Sequence, residues 1–178
     1  TRPDPEEEKA KVDPLDPTRE PIETTLDIAE GQRGISFEKL FVPYLKGAKE
    51  VRIHDPYVRL QYQVFNLMSF CEVLEPQEAP IKVSLVTATD EFHEKEITAT
   101  LNDLKKGLSR DDIEFEYSFD PSLHDRWIET DTGWRIMLGR GLDIFQKPED
   151  KFTLGFMDQT KRKCKATTIV YTRVGESE

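Results

Sequence analysis

His124-Asp125-Arg126-Trp127-Ile128-Glu129-Thr130-Asp131-Thr132-Gly133-Trp134-Arg135-Ile136-Met137-Leu138-Gly139-Arg140-Gly141-Leu142-Asp143 is the stretch on which the reading of the chain turns. Two strand-like runs flank Asp131-Thr132-Gly133, and a short glycine-containing connection between such runs predicts a β-hairpin. In a strand starting at His124, His124 and Arg126 project from the same face. The returning run Trp134 to Leu138 then brings Gly139 and Arg140 back beside His124. One imidazole and two guanidiniums are thus expected to converge on a space suited to an anion, with Gly139 and Gly141 as supporting residues.

Outward from the hairpin the elements alternate. Ser36 is a good N-cap for a helix carrying Phe37, Leu40, Phe41, Tyr44 and Leu45 on one face, with Gly47 at its C-terminus and Pro43 disturbing its middle. Lys49 to His54 alternates as a strand, ended by Asp55-Pro56-Tyr57. Leu60, Val64, Leu67, Met68, Cys71 and Leu74 mark an amphipathic helix. Ile81 to Ala88 reads as a central parallel strand, Glu91 to Leu108 as a helix and Ile113 to Phe119 as a third strand. After the hairpin, Phe152 to Met157 is predicted as a short strand and Thr167 to Val174 as the last one. The fold class is therefore α/β, a mixed β-sheet flanked by helices.

The chain has 178 residues and a net charge of -10. That balance argues against a generalised attraction to nucleic acid or anionic membrane, so anion binding has to be local. Half of the imbalance lies in residues 1 to 34, with ten acids against five bases. Five prolines and no apolar periodicity within the first 30 residues predict an acidic, proline-rich disordered linker over residues 1–33 ahead of a domain at 34–175. A first residue Thr1 suggests a piece cut from a longer protein. No run is long enough to span a bilayer and no secretion signal opens the chain, so a cytoplasmic protein with free thiols at Cys71 and Cys164 is expected. Nothing has the spacing of a metal site, and no cofactor is implied.

The succession Gly34-Ile35-Ser36-Phe37, Asp55-Pro56-Tyr57-Val58-Arg59, His124-Asp125-Arg126, Gly133-Trp134 and Gly139-Arg140-Gly141-Leu142-Asp143-Ile144-Phe145 resembles the C-terminal phospholipase D-like domain of the MIT-domain-containing protein 1 family. The likeness runs from about Gly34 to Tyr171. It implies half of a phospholipase D fold, a homodimer, binding to acidic phospholipid membranes and a separate N-terminal domain that recruits the protein to membrane-scission filaments. Related domains also occur on prokaryotic multidomain proteins. Enzymes of the wider superfamily carry His-x-Lys, an Asp five residues after the Lys, and then Gly-Ser. This chain keeps His124 and Asp131, has Arg126 in place of the Lys and Arg140 in place of the Ser. In those enzymes one histidine attacks phosphorus and a second, from the other half, protonates the leaving group. The resemblance thus implies a degenerate motif, in which Arg126 retains a fork suited to phosphate and Arg140 crowds the attack.

Each residue also has a plainer reading. His124 is equally a histidine packed at a strand end, and Asp125 and Asp143 are equally partners that neutralise the arginines in a buried network. Asp55 reads as a helix cap with Arg59 on a solvated face, while the resemblance moves Asp55, Tyr57 and Arg59 towards the site. Lys161, Arg162, Lys163 and Lys165 form the densest basic run, either a lipid-surface patch or a solvated loop. Trp127 and Trp134 read first as core or dimer interface, and a membrane-dipping role is the lesser reading. The primary expectation is a non-catalytic dimeric module for anionic phospholipid or another phosphate-bearing ligand. The alternatives are a phosphodiesterase or nuclease using His124 and a pure assembly domain; nucleic acid as a partner is not favoured.

Overall fold

The computed structural model describes residues 12–150 and 152–175. Among them, one seven-stranded mixed sheet has the order β1-β7-β6-β5-β2-β3-β4. In chain order the elements are β1 (Thr24–Ile28), α1 (Phe37–Leu45), β2 (Glu50–His54), α2 (Gln61–Cys71), β3 (Ile81–Thr87), α3 (Glu94–Ser109), β4 (Ile113–Phe119), β5 (Trp127–Thr130), β6 (Trp134–Leu138) and β7 (Thr167–Arg173). A short 3-10 turn at Gln159–Lys161 precedes β7.

Strands β2, β3 and β4 are parallel, joined by crossover helices α2 and α3, as βαβ connections require. The hairpin β5-β6 turns at Gly133 with φ +99, and β5 lies antiparallel to β2. Register places two buried rows on the helix side of the sheet: Phe115, Val83, Val51 and Thr130 in one, and Leu85, Ile53, Ile128, Ile136 and Tyr171 in the next. All three helices bury their apolar stripes in the same continuous core. Among the described residues the opposite face carries no helix. A row of Ser118, Val86, His54, Trp127, Met137 and Val170 runs across it, beside a second row in which Glu129 is flanked by Arg52 and Arg135.

Ser36 caps α1, its hydroxyl accepting from the Lys39 amide at 3.2 Å. Pro43 sits inside that helix and lacks the N–H that Lys39 O would receive. Arg19 supplies it instead, its guanidinium donating to Lys39 O at 2.6 Å while lying 5.5 Å from the Tyr44 ring centroid. The helix thus keeps the part-buried Lys39 carbonyl satisfied.

That contact corrects the linker expected over residues 1–33, of which 1–11 lie outside the described residues. Thr24 to Ile28 form β1, paired antiparallel with β7, and Tyr44 Oη donates to Ile22 O at 2.9 Å. Two further expectations change. The first strand of the hairpin begins at Trp127, leaving His124 to Arg126 in the connection before it. Phe152 to Met157 form turns and not a strand, because no neighbouring strand offers them a ladder.

Candidate functional site

At the C-terminal ends of parallel strands the carbonyl-end crevice is where α/β sheets bind ligands. Here that end of β2 and β3 meets the start of β5 and the end of β6, because the hairpin runs antiparallel to β2. A cavity of about 300 Å³ opens there, and its polar lining comes from Asp55, Tyr57, Gln63, Asn66, Arg126, Arg140 and Asp143, over a floor of Ile53, Leu67 and Leu85.

The two guanidiniums enter from neighbouring segments. Arg126 lies 4.9 Å from the Tyr57 ring centroid, a cation-π contact that holds its stem against the wall. Arg140 donates through Nε to Ala166 O at 3.0 Å and also lines the cavity. Asp55 faces both. Its Oδ1 accepts from the Tyr57 amide at 2.9 Å. Burial pushes the Asp55 carboxyl above the usual carboxylate range, against the pull of the Tyr57 amide and of Arg126, and Asp143 adds to the rise. Asp143 is paired with Lys165 at 3.0 Å. The local charge is therefore positive once Lys165 is counted with the two arginines against two carboxyls.

Gly141 makes the arrangement sterically possible. Its φ is +60, and a Cβ there would overlap Asp55 Oδ2 and approach Arg126 Cδ to 3.2 Å. Gly139 is tight too, since a Cβ would lie 3.0 Å from Thr167 Oγ1.

Of the residues singled out from the sequence, Arg126, Arg140, Tyr57, Asp55, Asp143 and Gly141 therefore meet at one place. His124 does not line the cavity; it is exposed, as is Asp125, on the connection between β4 and β5. The reason is the late start of β5, which removes the two-residue periodicity that was to align His124 with Arg126. Instead His124 and His54 both act on Asp120, whose carboxyl is held below its ordinary value first by its bond from Ser122 and further by the two imidazoles. Asp131 sits at the far end of β5, where Oδ1 accepts from the Lys49 amide at 3.0 Å, a structural role at the start of β2. Arg59 does not line the cavity, and its Nη1 lies 3.9 Å from Asp90 Oδ2.

The basic run splits as well. Lys161 and Lys163 are exposed, whereas Lys165 is held by Asp143, and Arg162 packs over Phe145 and Phe156 at 5.1 and 4.9 Å while donating to Gln146 O. Burial lowers the Arg162 pKa from its ordinary value.

Sequence reasoning missed Gln63 and Asn66. They lie three apart on α2, a polar pair beside the apolar stripe of Val64 and Leu67, and Gln63 Oε1 also accepts from the Arg59 and Leu60 amides at 2.8 and 2.9 Å. Polar residues bordering a core-facing stripe were the available signal. Among the described residues no cluster of three or more His, Cys, Asp or Glu side chains is placed to hold a metal, and both cysteines are free and buried.

Comparison with known proteins bears on the whole domain. Residues 34–173 match the model of the phospholipase D-like domain at the C-terminus of MIT. MIT domain-containing protein 1 of Mus musculus is 36% identical over 147 residues, which is 81% of this chain and 59% of that protein, so the chain spans less than two thirds of its relative. TrmBL2, an archaeal chromatin protein, aligns with a TM-score of 0.36 and 12% identity over 88% of this chain and 48% of its own, too distant a likeness to carry an argument. The mixed sheet with helices on one face, the cavity beside the hairpin and the match over nearly all the described residues lead to one conclusion: the chain belongs to the family of phospholipase D-like domains found at the C-terminus of MIT.

Proposed function

We propose that this domain is a non-catalytic module that binds anionic phospholipid through its phosphate group, as the C-terminal part of a longer cytoplasmic protein that acts peripherally at membranes. The observation that carries this reading is the meeting of Arg126 and Arg140 in the cavity beside β2. A guanidinium fork matches phosphate oxygens two at a time, and a charge-assisted bond of that kind contributes roughly 1.5–3 kcal/mol.

A hydrolytic reading finds less support. The histidine of the degenerate motif is exposed and does not line the cavity that Arg126 enters. The test is titration with glycerol 1-phosphate, a soluble headgroup fragment. Arg126→Ala weakens binding about tenfold or more, as loss of one such bond requires, whereas His124→Asn leaves it unchanged. Equal affinity in wild type and Arg126→Ala refutes the reading, and turnover of a bis-aryl phosphodiester that disappears in His124→Asn replaces it with catalysis.

A homodimer belongs to the same proposal. Its support is the helix-free face of the sheet, where Val86, Trp127, Met137 and Val170 stand only partly covered. Sedimentation over a range of concentrations reads it directly, and a monomer throughout overturns it.

A further inference from the structure

Strand β4 is the outer strand on the parallel side of the sheet, and among the described residues nothing pairs with its far edge. Ile81 N donates to Asp112 O at 3.0 Å and Asp120 N to Thr87 O at 2.8 Å, so the even-numbered residues of β4 turn their amides and carbonyls inwards to β3. Those of Ile113, Phe115, Tyr117 and Phe119 therefore point outwards, a set of donors and acceptors at every second residue. The strand is seven residues long and carries neither proline nor lysine, two of the residues that usually blunt such an edge.

The side chains along this edge fall into two rows. Phe115, Tyr117 and Phe119 lie on the helix side, with successive ring centroids 6.2 and 5.7 Å apart. Phe115 is buried, whereas Tyr117 and Phe119 are half-buried, and the Tyr117 hydroxyl donates to Asn102 Oδ1 of α3 at 2.6 Å. Glu114 and Glu116 lie exposed on the helix-free side. Lys105 belongs to α3, in the helix layer, yet its Nζ lies 2.9 Å from Glu116 Oε1. Because β4 is outermost, this side chain reaches Glu116 by passing around the open edge. A cation already sits on Glu116 from that direction, in a pair exposed enough to be exchanged at little cost. Beside it runs a cleft of about 430 Å³, lined in part by Lys105 and Ser109 of α3 and by Ile113, Glu114 and Phe115.

We infer that the β4 edge takes up, as an additional strand, an extended segment of a protein partner in which lysines or arginines alternate with apolar residues. Main-chain bonds to Phe115 and Tyr117 hold the segment in register. Its basic side chains meet Glu114 and Glu116 on the helix-free side, and its apolar ones cover Tyr117 and Phe119 on the other. The net charge of -10 favours a cationic partner over the approach of an acidic one. A second copy of this chain fits poorly. Antiparallel pairing of β4 with itself sets Glu114 and Glu116 against the same carboxylates of the other copy, and like charges facing each other across strands repel. The edge is separate from the arginine cavity, which lies where β2 ends beside the hairpin.

The test uses the full chain and a fluorescein-labelled, end-blocked peptide of alternating lysine and valine, followed by anisotropy at low salt. The chain binds this peptide and leaves unbound both an alternating glutamate-valine peptide and a lysine-valine peptide methylated at every main-chain amide, which keeps the charge and lacks the donors. Glu114→Gln with Glu116→Gln lowers the affinity about tenfold at unchanged melting temperature, both side chains being exposed. Lys105→Ala raises it by up to about fivefold, since the competing cation is gone. Hydrogen exchange followed by NMR reads the position: bound peptide slows the outward amides of Phe115 and Tyr117 at least tenfold. Equal binding of the methylated peptide overturns the inference, as does unaltered exchange at Phe115 and Tyr117 while the peptide is bound. Absence of any binding by the lysine-valine peptide overturns it too. A peptide that dissociates a dimer of the wild type while protecting these amides assigns the edge to a second copy, and equally overturns it.

Discussion

Gly141→Ala is the perturbation with the most definite consequence. At φ +60 an L-residue loses about 1–2 kcal/mol of conformational energy. The added methyl also overlaps Asp55 Oδ2, so that carboxyl has to turn. Turning it breaks the 2.9 Å bond from the Tyr57 amide, a loss of roughly 1.5–3 kcal/mol for a hydrogen bond to a charged group. The sum is a destabilisation of about 2.5–5 kcal/mol, or a melting temperature lower by roughly 5–20 °C for a domain of this size. Urea unfolding followed by circular dichroism measures it, with the slope of the transition checked for constancy. The double variant Gly141→Ala, Asp55→Ala isolates the overlap. With the carboxyl removed, adding the methyl costs only the conformational part, so the two substitutions are strongly coupled. A cost for Gly141→Ala below about 1 kcal/mol, or strict additivity with Asp55→Ala, refutes the steric argument that builds the cavity.

Three other outcomes follow from the same coordinates. Burial chiefly lowers the His54 pKa from its ordinary 6.5, where it stacks on Trp127 at 3.7 Å. The folded state therefore binds that proton more weakly than the unfolded chain, and stability falls as pH drops below 6.5 towards the folded value. The difference in urea midpoint between wild type and His54→Gln shrinks on acidification through that window; parallel pH profiles would contradict the assignment. Cys71 and Cys164 have pKa values pushed up to about 12 and about 11 by burial, so neither reacts with a disulfide reagent at pH 8 until the protein is unfolded, when both do. Rapid labelling of either native thiol would show it accessible. Ile28→Ala, which empties a buried position on β1, costs about 2–5 kcal/mol in the same urea assay. A neutral result would mean that β1 does not contribute to the folded core.

The sheet was readable where apolar residues alternate over five or more positions, as in Ile113 to Phe119, whose strand bounds match the pattern. The helices were readable from their stripes. β1 was hidden because its five residues include two threonines and an aspartate and follow a proline-rich acidic leader. Composition weighted the whole leader towards disorder, although the pairing partner that orders its β1 segment lies 139 to 147 residues away in β7. Part of the site was legible from spacing, since the hairpin does return Arg140 to the end of the sheet that holds Arg126. Three residues of difference in where β5 starts decided His124, and alternation gives no warning of such a boundary. The apolar run Phe152 to Met157 was misread as a strand because hydrophobicity records what a side chain avoids and not whether a neighbour is present to cover it.

The pairing of β1 with β7 also sets an order of assembly. Among the described residues the first strand of the sheet pairs with the last, so Leu26 and Ile28 must wait while nearly the whole domain is synthesised. During that interval the central strands can close around α2 and α3 through short-range contacts, and the outer edge of β7 is sealed last. The edge that forms latest is also the one from which a nascent or stressed chain first opens, which makes β1 the natural point for a chaperone or protease to test whether the domain is complete.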